Sequence, residues 1–182
     1  LYSIADEGVV SFRILPNGSL ARLNSSSIRG MRGCHLCTDE EDKYVFVSGY
    51  HDGKTTVLSL NPDGSVGKIV DGVFDRGYGS VAERNFRPHV TCTRRMPDNR
   101  FVLSVDNGID QVKIYRFNDK EQKLVQVDAI RCDLESAPRH FRYSKDGKFI
   151  YLMYELKKAI EVYTYKTGDR APVIEKIQTI ST

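Results

Sequence analysis

The stretch that decides the fold is APRHFRYSKDGKFIYLMYELKKAIEVYTYKTGDRAPV, residues 137–173. An Asp-Gly pair at 146–147 separates two short runs rich in aromatic and aliphatic residues, FRYS and FIYLMY. Such runs joined by a turn dipeptide predict an antiparallel hairpin. Because no stretch of the chain shows a sustained 3.6-residue apolar period, we predict an all-β protein.

The same pattern occurs twice earlier in the chain. One copy begins at Gly33 with GCHLCTDEEDKYVFVSGYHDGKTTVLSL, and another begins at Arg87 with RPHVTCTRRMPDNRFVLSVDNGIDQVKIYRF. Each copy has a histidine near its start, then a polar turn and two strand-like runs. A period of about 50 residues with four strands in each unit is typical of a β-propeller blade.

The propeller that these repeats predict is incomplete. We expect a partial blade over residues 1–32 and full blades over about 33–86, 87–136 and 137–182. Propellers have roughly four to eight blades closed in a ring, so about three and a half antiparallel blades leave unpaired strand edges. We therefore expect the rest of the ring to come from the same longer chain or from a second copy.

Composition excludes several classes of protein. The 182 residues are 40% hydrophobic and 28% charged, which is typical of a globular domain. The net charge of +3 favours a small anion slightly and is too low to indicate nucleic-acid binding. No apolar run approaches the roughly 18 residues of a membrane span. We expect a cytoplasmic protein that binds neither nucleic acid nor membranes.

The four cysteines give little support to a metal site. CHLC, residues 34–37, has the spacing of half a zinc site, but it lies in a predicted strand, where positions i and i+3 face opposite sides. No second pair exists, because Cys92 and Cys132 stand alone. We interpret all four as structural thiols in a reducing compartment, and we expect neither a metal nor another cofactor.

Polar residues recur at one edge of the predicted hairpins. The start of the first strand of an antiparallel hairpin lies beside the end of the second, which places Arg139 and His140 next to Glu155. With the first strand innermost, this edge opens onto one end of the central channel, which we call the mouth. A base, a cation and an acid at one place are the material of a hydrolytic or acid–base site.

The earlier repeats add residues to this mouth. The hairpin geometry places His89 beside Asp106, which we match with Glu155 of the last repeat, and it places His35 beside Gly49 and Tyr50. A structural interpretation fits these residues as well, because repeated histidines can tie loops together by hydrogen bonds and Arg139 and Glu155 can form an ordinary ion pair.

The sequence resembles the lactonase family of seven-bladed propellers, which includes bacterial 6-phosphogluconolactonases and the fungal carboxy-muconate lactonizing enzyme. FRPHV at 86–90 and SAPRHF at 136–141, followed by SKDGKFIYLMYEL, carry the resemblance. It covers essentially all 182 residues and implies that they form a little over half of a seven-bladed ring. The chain departs from the family pattern at three positions, Arg87, Ala137 and Tyr154, where His, Gly and Asn are usual.

The resemblance also implies an activity, which is the opening of a sugar lactone, most specifically 6-phosphogluconolactone. It assigns His89 as general base, Arg139 as the group that stabilises the oxyanion or an anionic part of the substrate, and Glu155 as the group that orients Arg139 or relays a proton. Around them we expect substrate-binding residues, namely His35, Arg84, Arg87 and His140.

Three other functions compete with a lactone hydrolase. A lactonizing cycloisomerase would use the same site on a carboxylated diene. A non-catalytic interaction propeller of the WD or kelch kind would use an exposed face, although the chain has no Trp for a WD repeat. A calcium-dependent lactonase would need converging oxygen ligands, and the predicted mouth has no dense acidic cluster.

Overall fold

The computed structural model describes residues 1–6, 8–80 and 86–182. These residues form fifteen strands, which confirms the predicted all-β class. No helix among them is long and apolar enough to cross a membrane.

Four antiparallel sheets follow one another along the chain, and we number them as blades 1 to 4. Blade 1 contains β1 (Tyr2–Ala5), β2 (Gly8–Ile14) and β3 (Leu20–Ser27). Blade 2 contains β4 (His35–Thr38), β5 (Tyr44–Gly49), β6 (Lys54–Leu60) and β7 (Val66–Phe74). Blade 3 contains β8 (Val90–Arg95), β9 (Phe101–Asp106), β10 (Gln111–Asn118) and β11 (Lys123–Arg131). Blade 4 contains β12 (Pro138–Tyr143), β13 (Phe149–Tyr154), β14 (Ala159–Lys166) and β15 (Val173–Ser181).

Within each blade the strands pair in chain order, so every blade is a simple meander. Short turns make this connection possible. At the β12–β13 turn Gly147 has a φ of 70°, a left-handed conformation that glycine adopts without steric cost. Asp146 accepts hydrogen bonds from Ser144 Oγ and Lys148 N at 2.6 and 3.2 Å, which closes the same turn. The strands of each blade lie inside the residue range expected from the repeat.

The hydrophobic core is divided into layers between successive blades. The layer between blades 3 and 4 includes Leu103, Phe141 and Leu152, all at most 2% exposed. Alternation along β13 explains the layering, because successive side chains of a strand face opposite sides of the sheet. Leu152 faces blade 3, whereas Tyr151 and Met153 are 41% and 43% exposed on the side of blade 4 that no described blade covers.

The first strands of blades 2, 3 and 4 lie side by side around the channel, with β8 packed against both β4 and β12. A buried hydroxyl network ties blades 2 and 3 together there. Ser48 Oγ donates to Thr93 Oγ1 at 3.0 Å, and Thr93 Oγ1 in turn lies 3.0 Å from Ser104 Oγ. Thr55 Oγ1 lies 2.9 Å from the same Ser104 Oγ. These contacts hold β8, the first strand of blade 3, against the second and third strands of blade 2.

Candidate functional site

The hairpin registers show which residues of blades 2, 3 and 4 are equivalent. In each blade the last residue of the second strand pairs with the first residue of the third, and this residue is Gly49, Asp106 or Tyr154. The residues that follow are therefore equivalent as well, namely Tyr50, Asn107 and Glu155. One step into the first strand, equivalent positions hold His35, Cys92 and His140, which pair with Ser48, Val105 and Met153.

This register corrects three predicted matches. Asp106 is equivalent to Tyr154, so the predicted match with Glu155 is wrong by one residue. His89 is not the counterpart of His35 and His140, because it precedes β8 and lies three positions before Cys92. His35 itself pairs with Ser48 rather than lying opposite Gly49. The error arose from aligning the repeats on their histidines instead of on the turn after the second strand.

Two β-bulges shape the mouth. The ladder is interrupted in β8 between Val90 and Cys92 and in β12 between Pro138 and His140, so Thr91 and Arg139 are the extra residues. A bulge leaves its extra residue unpaired and re-aims the side chain. The two bulges are linked, because Thr91 Oγ1 donates to the Arg139 carbonyl at 2.7 Å. This link fixes the backbone from which the Arg139 side chain extends.

Arg139 and Glu155 form an ion pair at the mouth, as the hairpin geometry predicted. Arg139 Nη1 donates to Glu155 Oε2 at 2.7 Å, and the two side chains are 42% and 26% exposed. Asn107 Nδ2 lies 3.5 Å from the same carboxylate oxygen. A guanidinium has five N–H donors in a fixed fork, so the contact with Glu155 orients Arg139 and leaves other donors for a ligand.

His89 is 4% exposed and is held from three sides. Its backbone N–H donates to Asp106 Oδ1 at 2.8 Å, and its Nδ1 lies 2.7 Å from the Tyr50 carbonyl oxygen. The Tyr50 ring stacks on the imidazole with centroids 4.3 Å apart and planes inclined by 13°. Because a carbonyl oxygen only accepts, Nδ1 carries the proton and the basic lone pair of the neutral ring is on Nε2.

Electrostatics keep this imidazole neutral. Burial lowers the pKa of His89, and the nearby charges of Arg87 and His51 act in the same direction, while the hydrogen bond to Tyr50 opposes them. A neutral imidazole at neutral pH can accept a proton.

A cavity of about 260 Å³ opens at the mouth and is lined by Cys34, Tyr50, His51, Thr91, Arg139 and His140. The predicted residues Arg139 and His140 thus lie together in its wall. His89 is not part of that wall, and its imidazole stacks on the ring of the wall residue Tyr50. Sequence reasoning missed Tyr50 and His51 as wall residues. The signal was present, since SGYHDG places Tyr50 at the same offset from its turn as Glu155.

His35 and His140 meet an arginine deeper in the channel. His35 Nε2 lies 3.2 Å from Arg94 Nη2, and the two imidazole centroids are 5.9 Å apart. Burial first, and then the charges of Arg94 and His140, lower the pKa of His35 to about 4. Burial also lowers the pKa of His140, together with Arg139 and Arg94. At neutral pH both imidazoles are therefore uncharged beside a cation.

Of the two remaining predicted substrate-binding residues, only Arg87 is described. Arg87 is exposed, and its guanidinium carbon lies 5.6 Å from the centroid of the Phe86 ring, outside the wall of the mouth cavity. Arg84 falls outside the described residues.

The cysteines of CHLC do not face opposite sides as predicted. Cys34 Sγ lies 3.4 Å from the Val90 carbonyl and Cys37 Sγ lies 3.1 Å from the Thr93 carbonyl, so both thiols contact β8. Cys34 precedes the first paired residue of β4, where strict strand alternation does not apply. Burial raises the pKa of Cys37 to about 11, which keeps this thiol protonated. Among the described residues, no three His, Cys, Asp or Glu side chains converge as metal ligands.

Comparison with known proteins gives a consistent result. Residues 1–182 match the family described as lactonase, seven-bladed β-propeller. The 6-phosphogluconolactonase of Bacillus subtilis (strain 168) is 31% identical over 186 residues, which cover 100% of this chain and 52% of that protein. An uncharacterized protein of Staphylococcus saprophyticus is 27% identical over 175 residues, which cover 92% of this chain and 50% of that protein. The chain thus spans about half the length of the curated relatives it matches.

Solved structures agree in fold. A proposed 6-phosphogluconolactonase from Bacteroides fragilis superposes with a TM-score of 0.87 at 28% identity, covering 99% of this chain and 53% of that one. A periplasmic gluconolactonase from Pseudomonas aeruginosa superposes with a TM-score of 0.85 at 24% identity, covering 97% and 50%, and it supports the fold alone. With the family match over the full 182 residues, the chain belongs to the lactonase family of seven-bladed β-propellers.

Proposed function

We propose that the protein is a lactone hydrolase whose preferred substrate is 6-phosphogluconolactone. The observation that carries this proposal is the half-exposed Arg139, oriented by Glu155 at the wall of an open cavity. The relative from Bacillus subtilis, which is a 6-phosphogluconolactonase, supports the choice of substrate. Further blades must close a seven-bladed ring around the mouth, and we propose that they belong to the same longer polypeptide.

The chemistry of lactone opening assigns a part to each group. A water molecule attacks the carbonyl carbon, negative charge develops on the carbonyl oxygen, and the C–O bond to the ring oxygen then breaks. In the proposed mechanism Arg139 donates hydrogen bonds to the developing oxyanion, which such preorganised donors stabilise strongly. His89 Nε2 accepts the proton of the attacking water and returns it to the ring oxygen that leaves.

The charges around the mouth favour an anionic substrate. Arg139 lies in the cavity wall and Arg94 lies deeper in the channel, while Glu155 is the acid paired with Arg139. The imidazoles of His35, His89 and His140 add no positive charge at neutral pH, because their pKa values are lowered. Their neutral rings can still donate hydrogen bonds to phosphate oxygens and exchange hydrogen bonds with sugar hydroxyls. We retain Arg84 and Arg87 as proposed phosphate ligands.

A substrate panel tests the proposal on the whole protein. We expect release of acid from 6-phosphogluconolactone well above the rate of its spontaneous hydrolysis, with slower turnover of the uncharged gluconolactone. Arg139→Ala is expected to lower kcat/KM by about 100-fold or more, in the range measured for loss of one oxyanion donor. The matched control is Arg100→Ala. Arg100 is an exposed arginine in the β8–β9 turn of blade 3, away from the mouth, and it donates to the carbonyl of Asp169 in blade 4.

Two outcomes would contradict the proposal. Unchanged kcat/KM in Arg139→Ala would show that this arginine is structural. Lactone formation from a carboxylated muconate, with no acceleration of 6-phosphogluconolactone hydrolysis, would show that the site performs the cycloisomerase reaction instead.

A further inference from the structure

The backbone of His89 is clamped by the turn at the end of β9. Asp106 Oδ1 accepts hydrogen bonds from both His89 N, at 2.8 Å, and Gly108 N, at 2.9 Å. The His89 carbonyl accepts from Asn107 N at 2.9 Å. The approach is so close that a Cβ on Gly108 would lie 1.6 Å from the Arg87 carbonyl oxygen and 2.8 Å from His89 Cδ2. The position of the imidazole therefore depends on this turn.

The other oxygen of Asp106 faces a second carboxyl group. The carboxyl groups of Asp106 and Asp75 lie next to each other, and Oδ2 of each is buried and makes no hydrogen bond with any described group. A hydrogen bond between two carboxyl groups requires a proton on one of them. Two ionised carboxylates in contact inside the protein would repel each other strongly. The contact and the burial of both unpartnered oxygens therefore favour one bound proton at this pair.

The neighbours of Asp75 are a cation and a hydroxyl donor. Lys113 Nζ lies 3.2 Å from Asp75 Oδ1, and Tyr115 OH donates to the same oxygen at 2.8 Å. The Asp75 and Lys113 side chains are 0% and 6% exposed, so this ion pair is fully desolvated. Among the described residues, the groups in contact with Asp106 are two backbone amides and Asp75, and none of them is a cation. The proton therefore belongs to Asp106.

We propose that Asp106 is a positioning residue for His89 and that it performs this role with a protonated carboxyl group. The inference rests on the proposed function, in which His89 is the base. Burial, and next the contact with Asp75, raise the pKa of Asp106 to about 8. Loss of this proton sets two carboxylates against each other, pulls Oδ1 away from the His89 amide and misaligns Nδ1 with the Tyr50 carbonyl.

Two substitutions at Asp106 separate the effect of its titratable proton from the effect of its side-chain hydrogen bonds. In Asp106→Asn the side-chain oxygen still accepts from His89 N and Gly108 N, and the amide nitrogen donates to Asp75 as the carboxyl proton does. We expect kcat/KM within about 3-fold of wild type near pH 7. Asp106→Ala removes the clamp, and we expect kcat to fall by about 10-fold or more with little change in KM, since small misplacements of a catalytic group cost this much.

The pH dependence of kcat distinguishes a positioning role from a merely structural one, because a merely structural role would leave it unchanged. With spontaneous hydrolysis subtracted, wild-type kcat is expected to fall above about pH 8, where Asp106 loses its proton. Asp106→Asn is expected to lack this alkaline decline. The matched control is Asp98→Asn, because Asp98 Oδ1 also accepts from two backbone amides, those of Arg100 and Phe101, at the opposite end of the blade. This control is expected to keep the wild-type profile.

An imidazole measurement tests the clamp without any substrate. In ¹⁵N NMR, with the signal identified through a His89→Gln difference, we expect wild type and Asp106→Asn to show His89 protonated at Nδ1 only. Asp106→Ala is expected to show mixed tautomers. Wild-type tautomers in Asp106→Ala, or equal kinetic damage in both Asp106 variants, would overturn the inference. A wild-type protein without lactonase activity would reject the proposed function, while the NMR result would still decide the clamp.

Discussion

Asp39 and Asp106 hold the chain in the same way at opposite ends of the blades. Each is buried, and each accepts two backbone amides with its Oδ1 atom. They differ in the partner of the second oxygen. Asp39 Oδ2 meets Arg95 Nη1 at 3.2 Å, with side chains 0% and 4% exposed, whereas Asp106 Oδ2 meets the carboxyl group of Asp75.

The two ends of the blade differ in how the charge of a buried acid is balanced. At the far end the buried acid is matched by a cation with further partners, since Arg95 also donates to Asp119 Oδ1 at 2.9 Å and its guanidinium carbon lies 5.3 Å from the centroid of the Phe117 ring. At the mouth an acid is buried against an acid, which costs stability unless a proton stays bound. Such perturbed pairs are typical of functional sites rather than of structural ones.

The largest expected effect is a loss of stability when the Asp39–Arg95 ion pair is broken. Arg95→Met leaves the buried Asp39 without its cation, and we expect the free energy of unfolding to fall by about 3–5 kcal/mol. Urea denaturation measures this loss. Lys43→Ala is the control, because Lys43 pairs with Glu41 at the exposed surface, and no measurable change is expected. Equal stability of the two variants would show that Arg95 is not the counter-ion on which Asp39 depends.

The next effect concerns the acid pair and its pH dependence. The folded pKa of Asp106, about 8, lies above its unfolded value, so folding binds a proton between roughly pH 4 and 8. The stabilisation is fully present below pH 4 and is lost as the pH rises toward 8. Relative to Asp106→Asn, we expect wild-type stability to fall by about 1.4 kcal/mol per pH unit in this window. Parallel stability curves for the two proteins between pH 5 and 7 would contradict the bound proton.

The smallest effect has the opposite sign and comes from His35. Its folded pKa, about 4, lies below the unfolded value of about 6.5, so the unfolded chain binds the proton more tightly. The stability that this neutral imidazole contributes is present above pH 6.5 and is lost as the pH falls to 4. We expect His35→Gln to lose less stability than wild type between pH 7 and pH 5, as measured by thermal unfolding at both pH values. An equal loss of stability in His35→Gln and wild type would show that another group causes it.

The fold could be predicted from the sequence because its signals are local. Turn dipeptides and strand-like runs repeat along the chain, and each hairpin forms from neighbouring residues. The contact between Arg139 and Glu155 could be predicted for the same reason, since both residues belong to one hairpin.

The rest of the site depends on features without a local signal. A bulge adds one residue to a strand without any distinctive sequence, so the extra positions of Thr91 and Arg139 could not be read from the repeat. Asp75 and Lys113 resemble solvent-facing charges in their strand segments. They are buried only because blades 2 and 3 pack together and bring them within 3.2 Å of each other.

The bulges also bear on how such a mouth can change its chemistry. Cys34, Thr91 and Arg139 occupy corresponding positions of three blades, and all three line the cavity. They present a thiol, a hydroxyl and a guanidinium to the same cavity. None of the three side chains belongs to the hydrophobic core clusters, so an exchange at one of them changes the cavity wall more than the packing of the core. Substrate range can therefore diverge by single exchanges, one blade at a time, on a scaffold that stays constant.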